Sequence, residues 1–196
     1  MLNKTTYFIR EHVGILKLSN TYDILDPETK SILGIAQEET PWWVHLLRLV
    51  VNKQFLPTAV VVREDGNENF PGHVRFQIQR NFNFGFRTKI EIRTANGELA
   101  GWFQKKAFSL GGAFLVFDSR GQQVATVGGD WKGWEFRFED MQGKQLGVVS
   151  KRWSGIGKEL FTTADNYILS LEQANPAMAI LLLAAALAID TVFKER

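Results

Sequence analysis

The chain has 196 residues, of which 45% are hydrophobic and 22% charged, a composition that indicates a globular protein and excludes a disordered or collagen-like one. It contains no cysteine, which excludes disulfide bonds, thiolate metal sites and cysteine nucleophiles. The 23 Lys and Arg residues nearly balance 21 Asp and Glu residues, for a formal charge of +2, so net charge gives no reason to expect a nucleic-acid partner.

The first ten residues, MLNKTTYFIR, contain no apolar run and no small-residue cleavage site of the kind that a secretory signal has. We therefore expect the protein to stay in the cytoplasm.

From residue 22 to residue 153 the chain repeats a unit with an Asp or Thr, a turn residue three positions later and an aliphatic or small residue three positions further. Asp at the start of a turn bonds its own backbone, and Gly accepts the positive φ of a tight reversal. Each unit predicts a β-hairpin. The units are Asp26–Thr29–Ile32, Thr94–Gly97–Ala100, Asp118–Gly121–Val124 and Asp140–Gly143–Leu146.

The runs that flank these turns alternate between apolar and polar residues. Such a period of two predicts antiparallel strands with one buried face and one solvated face. The apolar positions are Val74, Phe76 and Ile78 in one run, Ile90 and Ile92 in another, and Trp134, Phe136 and Phe138 in a third.

Residues 41–53, PWWVHLLRLVVNK, are the exception to this pattern. Thr40 is a suitable N-cap and Pro41 suits the first helical position, so we predict a short helix, with a strand as the alternative. The segment could cover an open end of a barrel, or its Trp42–Trp43 pair could lie in a membrane interface.

Residues 177–189, AMAILLLAAALAI, are 13 apolar residues in succession. As a helix they cover about 20 Å, whereas a membrane span needs about 30 Å. A helix that is apolar on all sides is typical of a protein core. We expect a mainly β, closed antiparallel barrel with this helix inside it. Its alanines, Ala184, Ala185, Ala186 and Ala188, would let strand side chains approach closely. We expect one domain over residues 1–196, with strands over roughly 5–172 and the buried helix over roughly 176–193.

Catalytic motifs are absent from the sequence. His12, His45 and His73 share no metal-ligand spacing, and no nucleophile elbow, phosphate loop or zinc-protease motif occurs. We expect no enzymatic activity, although a pair of carboxylates brought together by folding remains an alternative.

Basic residues end several predicted strands and could form a rim that attracts phosphate-bearing lipid headgroups. The alternative is that they are solvated strand ends that keep the chain soluble. The candidate headgroup-binding residues are Arg87, Lys89, Lys105, Lys106, Lys151 and Arg152.

The C-terminal quarter resembles the phospholipid scramblase family. The resemblance rests on residues 151–155 (KRWSG), on residues 161–167 (FTTADNY) and on the aliphatic run that ends at Ile189–Asp190. Upstream hairpin units, such as residues 22–24 and 137–146, are similar to the same family and to the LURP-one-related proteins. The resemblance implies a tubby C-terminal-like fold, which is a barrel of about twelve antiparallel strands around a central hydrophobic helix.

The resemblance also implies a function at membranes. It suggests a non-enzymatic protein that binds anionic phospholipid or phosphoinositide headgroups, or another intracellular ligand, and that is cytoplasmic or peripheral at a membrane. A membrane-inserted scramblase and a structural or adaptor protein without lipid activity are the alternatives. Because the sequence has no cysteine to carry a lipid anchor, membrane residence is expected to be transient.

A calcium-binding segment of the family overlaps the FTTADN stretch, which makes Asp165 the candidate metal ligand. Family members usually carry acids at the first and third positions of this segment, whereas Thr163 stands at the first position here. Because Ca²⁺ takes six to eight oxygen ligands, we expect no tight calcium site and no other cofactor.

Overall fold

The computed structural model describes residues 1–12, 20–47, 56–64, 72–81, 89–106, 113–130, 134–151, 166–173 and 175–193. These residues form twelve strands and two helices. In chain order they are β1 (Thr6–Glu11), β2 (Thr21–Leu25), β3 (Ile32–Glu38), α1 (Trp42–Leu47), β4 (Thr58–Glu64), β5 (His73–Arg80), β6 (Lys89–Thr94), β7 (Leu99–Lys105), β8 (Phe114–Asp118), β9 (Gln123–Asp130), β10 (Glu135–Glu139), β11 (Gln145–Ser150), β12 (Asn166–Leu171) and α2 (Pro176–Phe193).

The twelve strands form one closed antiparallel barrel. Each strand pairs with its neighbours in the chain, and β1 pairs with β12 to close the sheet, with Phe8 opposite Ile168. Closure leaves no strand with an unpaired edge. The expected mainly β fold, a barrel of about twelve strands, is confirmed.

The four predicted turns connect paired strands as the sequence indicates. In the β8–β9 turn, Asp118 Oδ1 accepts hydrogen bonds from the backbone N–H groups of Arg120 and Gln122, both at 2.9 Å. Gly121 has φ +84°, a conformation that L side chains rarely adopt. Asp140 and Gly143 repeat this arrangement between β10 and β11.

Register shifts recur where the first strand of a hairpin approaches its turn. Such irregularities bend a strand and increase its twist, which helps a sheet to close. They lie at Ile24/Leu25, Val62/Arg63, Ile92/Arg93, Val116/Phe117 and Phe138/Glu139.

Helix α2 fills the barrel. Nine consecutive residues, 181–189, are buried, and nine residues cover two and a half turns, so every side of this part of the helix is enclosed. The helix contacts β5 and β7 on one side of the barrel and β12 on the opposite side. Its leucines and alanines belong to the same apolar cluster as lumen-facing residues such as Phe76 and Phe136. The prediction of a central hydrophobic helix is confirmed.

A second, smaller apolar cluster lies on the outer wall, which the sequence analysis did not predict. Phe8, Leu25 and Ile168 are opposite one another on β1, β2 and β12 and are buried, while Tyr7 and Ile9 face the lumen. Beside this cluster, Asp23 is also buried, and its Oδ2 accepts hydrogen bonds from Arg10 Nη2 at 2.6 Å and lies 2.8 Å from His12 Nε2.

Helix α1 occupies the connection between β3 and β4. It begins at Trp42, one residue after the predicted start at Pro41, and is described as far as Leu47. The remaining part of the predicted helix, residues 48–53, lies outside the described residues.

Candidate functional site

The two ends of the barrel are connected differently. At one end, which we call the hairpin end, short turns such as residues 95–98 and 119–122 join the strands. At the other end, the long-loop end, the connections include residues 39–57 and 151–165, and helix α1 lies in the first of these. Binding residues are commonly found on loops that a rigid scaffold positions, so the long-loop end is the better candidate for a binding site.

The sequences of these connections also differ in charge. At the hairpin end, the connections from β2–β3 to β12–α2 contain three Lys or Arg residues and seven Asp or Glu residues. The connections at the long-loop end contain three acids, Glu39, Glu159 and Asp165, against nine basic residues: Lys17, Arg48, Lys53, Arg87, Lys106, Lys132, Lys151, Arg152 and Lys158. The connections at the hairpin end are therefore mainly acidic in sequence, and those at the long-loop end are mainly basic.

Four described basic residues lie at the long-loop end on three neighbouring strands, and we call them the basic cluster: Arg80, Lys89, Lys105 and Lys106. Arg80 ends β5 opposite Ile90, the residue after Lys89. Lys89 pairs with Gln104, the residue before Lys105. Because neighbouring strands lie about 4.8 Å apart, these residues occupy adjacent positions at the rim. The structure thus brings together three of the predicted headgroup-binding residues.

Arg80 is the member of the basic cluster that the sequence analysis missed. It is buried and shares the lumen-facing side of β5 with Phe76 and Ile78. Its Nη2 donates a hydrogen bond to Thr58 Oγ1 at 3.0 Å, which ties the end of β5 to the start of β4. The alternation along β5 contained this signal, because Arg80 follows Ile78 at the same period of two.

Lys89 stands on the outer side of β6 and is paired there with a carboxylate and an aromatic ring. Its Nζ lies 3.0 Å from Glu91 Oε1 and 4.6 Å from the ring centroid of Trp102. Arg93 contacts the same carboxylate at 2.8 Å. The hydrogen bond from Lys89, together with that from Arg93, holds the pKa of Glu91 below its ordinary value. Lys89 therefore offers less positive charge to a ligand than its position suggests.

Lys105 occupies a different environment. It is the last residue of β7, two positions after the lumen-facing Phe103, and it is half-buried. Within the described part of the chain, its ammonium group has no ion-pair partner. Lys106 follows it directly and is exposed, and its backbone N–H donates to the carbonyl of Ala113 at 2.8 Å. Lys105 is the member of the basic cluster whose charge is least compensated.

Lys151 lies at the same end of the barrel but apart from the basic cluster, because β8, β9 and β10 separate β11 from β7. Its Nζ lies 4.0 Å from the ring centroid of Trp134, within the range of a cation–π interaction. Trp134 has φ +51°, an uncommon conformation for a bulky residue, and its ring meets Phe136 edge-on at 5.8 Å. The structure therefore separates Lys151 from Lys105 and Lys106.

Three predicted site residues, Arg87, Arg152 and Asp165, lie outside the described residues. Among the residues that are described, no group of three or more His, Asp or Glu side chains could hold a metal ion. The calcium segment implied by the resemblance therefore stays a prediction.

The described residues enclose a small cavity between α2 and the strands. This cavity of about 10 Å³ lies near the long-loop end, and this volume accommodates at most one water molecule. Its described lining is entirely apolar and consists of Ile90, Phe103, Phe114, Val127, Ala185, Ala188 and Ile189. A ligand at this end would therefore contact the rim rather than enter the lumen.

No described helix is both long enough and apolar enough to cross a lipid bilayer.

Comparison with known proteins identifies a family for the chain. No curated protein and no solved structure matches the chain. The model of the family described as Scramblase matches residues 16–196, which include eleven of the twelve strands and both helices. The resemblance found in the C-terminal motifs thus extends over nearly the whole barrel, and the chain belongs to the scramblase family.

Proposed function

We propose that this member of the scramblase family is a non-enzymatic protein that binds anionic phospholipid headgroups at the long-loop end of its barrel. The observation that carries the proposal is the basic cluster, which lies on three neighbouring strands at the end whose connections have an excess of basic residues. A phosphate group accepts charge-assisted hydrogen bonds from Lys and Arg, so this arrangement fits an anionic headgroup.

Lys105 and Lys106 are the principal residues of the proposed site. Lys105 has no counter-ion in the described structure, whereas Lys89 is paired with Glu91 and Arg80 is held by Thr58. A basic residue near an anionic membrane contributes about 1 kcal/mol, which corresponds to about a fivefold change in affinity. Binding through a few such residues is reversible and weakens with salt, because the Debye length at physiological ionic strength is only about 8 Å.

The structure does not favour the alternative of a membrane-inserted scramblase whose terminal helix enters the bilayer. Residues 181–189 of α2 are buried against the strands from every side. Removing α2 would leave the lumen-facing residues, including Phe76, Phe103 and Phe136, without their packing partner. Burial of that apolar surface stabilises the barrel by about 25 cal/mol for each Å².

Co-sedimentation with vesicles tests the proposal. Vesicles of phosphatidylcholine alone are compared with vesicles that also contain phosphatidylserine or a phosphoinositide, each at several salt concentrations. We expect salt-sensitive binding to the anionic vesicles only. The double variant Lys105→Glu/Lys106→Glu removes two basic residues from the site, so its affinity should fall at least about 25-fold.

The matched control is Arg120→Glu/Lys144→Glu. These two exposed residues lie in turns at the hairpin end, and their reversal changes the net charge by the same amount. The control should bind like the wild type. Equal losses in both double variants would show that only net charge matters, and absence of binding by the wild type would leave a structural or adaptor role without lipid activity.

A further inference from the structure

Helix α1 presents a large aromatic side chain at the long-loop end. Val44 is fully buried, and Leu56, which precedes β4 in the same connection, is also buried. Trp43, one residue before Val44 and therefore about 100° away around the helix, is 39% exposed. Helix α1 thus has one side against the protein and Trp43 toward solvent.

The location of Trp43 distinguishes it from the other exposed apolar side chains. In the described structure, Ile32 and Met141 are more exposed than Trp43, at 51% and 56%, but both lie at the hairpin end. Among the residues whose burial is described, Trp43 is the large apolar side chain that is exposed at the same end as the basic cluster. Arg80 donates a hydrogen bond to Thr58 at the start of β4, and the connection that contains α1 leads into the same strand.

A tryptophan at the same end of a barrel as several basic residues is a combination that suits a membrane surface. The indole ring has an apolar body and a polar N–H group, and tryptophan is enriched at the level of lipid headgroups for this reason. The basic cluster is complementary in charge to an anionic headgroup layer. A phospholipid surface offers both contacts at once, because its anionic headgroup layer attracts the lysines and the apolar layer beneath accommodates the body of an indole ring.

We propose that Trp43 inserts into the interface of an anionic bilayer, so that the barrel stands on its long-loop end with the hairpin end directed away from the membrane. This inference rests on the proposed function, because Lys105 and Lys106 bring the barrel to the surface. Insertion of Trp43 adds an apolar contact that does not depend on salt, and this contact fixes which end of the barrel faces the lipid.

Fluorescence quenching by brominated phosphatidylcholine in phosphatidylserine vesicles measures insertion directly. The full chain has six tryptophans, and Trp43→Phe removes one while it keeps an apolar ring at this position. We expect lipid brominated near the headgroup to quench the wild type more than Trp43→Phe, with vesicle binding nearly unchanged. Equal quenching of the two proteins would overturn the inference.

Salt separates the apolar contact from the ionic one. At 1 M salt the Debye length is about 3 Å, so the ionic contribution is largely screened and the remaining binding reports the apolar contact. We expect Trp43→Ser to lose most of this residual binding, while Met141→Ser, a matched change at the hairpin end, keeps it. If Trp43→Ser binds like the wild type at every salt concentration while Lys105→Glu/Lys106→Glu does not bind, the insertion is refuted and headgroup binding stands. If the wild type does not bind, both proposals fail.

Discussion

Three successive leucines of α2 test whether the helix is enclosed on all sides. Leu181, Leu182 and Leu183 are 6%, 0% and 0% exposed, and their side chains leave the helix about 100° apart. A helix that packed on the outside of a sheet would leave at least one of these three directions toward solvent. A helix inside a barrel leaves none of these three side chains exposed to solvent.

The expected cost follows from burial. Replacing a buried leucine by alanine removes apolar contacts and leaves a cavity, and such changes cost about 2.7 to 5 kcal/mol. A domain of this size has a total stability of about 5 to 15 kcal/mol. Each of the three Leu→Ala variants should therefore lose a large part of its stability, and the double variant at Leu181 and Leu183 is expected to populate the unfolded state.

Urea denaturation, followed by tryptophan fluorescence, measures these losses. Met141→Ala is the control, because this side chain is exposed in a turn and its removal should change the free energy of unfolding by less than about 0.5 kcal/mol. If any one of the three Leu→Ala variants lowers the free energy of unfolding by less than about 1 kcal/mol, that side of α2 faces solvent, and the claim that the helix is enclosed on all sides is refuted.

Three further predictions concern the barrel wall. Gly101→Ala should destabilise the protein, because a Cβ there would overlap the backbone carbonyl oxygen of Phe117, and β7 and β8 would have to separate. Gly128→Ala is the control in the same urea titration, because the space around a Cβ at that position is open. Asp26 accepts hydrogen bonds from Lys4 and from the backbone of its own turn, and these bonds hold its pKa below its ordinary value. Asp26→Ala should therefore cost about 1 to 2 kcal/mol at neutral pH, and the difference from the wild type should shrink as the pH falls below about 4 and both folded and unfolded chains become protonated. Burial raises the pKa of Tyr7 to about 12, so Tyr7 ionises at a lower pH in the unfolded chain than in the folded one, and the free energy of unfolding should fall by up to about 3 kcal/mol between pH 10 and pH 12. Tyr7→Phe should lose this pH dependence. A wild-type stability that stays constant over this range would contradict the raised pKa of Tyr7.

The local features of the fold could be predicted from the sequence because their causes are local. Asp118 and Gly121 define a turn within five residues, and the alternation in β5 and β10 gives each strand its buried face. The continuous apolar run identified α2 because no side of it could face water. The number of strands came instead from the resemblance to a family, since neither turns nor alternation count the strands that close a barrel.

The candidate site was harder to predict because it depends on neighbours that are distant in sequence. Lys105 and Lys151 look equivalent in the sequence, since each follows an apolar strand, yet three strands separate them in the barrel. The ion pair between Lys89 and Glu91, by contrast, was accessible from the sequence, because a period of two places residues 89 and 91 on the same face of β6. The outer-wall cluster around Phe8 was missed because Tyr7, Phe8 and Ile9 are all apolar, so the sequence of β1 shows no alternation that separates its two faces.

Hydrogen exchange with and without phosphatidylserine vesicles tests the central claim that the long-loop end binds lipid while α2 remains inside the barrel. The account predicts slower exchange in the backbone amides of α1 and around Lys105 and Lys106 when vesicles are present, with no change at the hairpin turns. The amides of residues 181–189 should stay protected in both conditions. Faster exchange of α2 in the presence of vesicles, or protection confined to the hairpin end, would contradict the account.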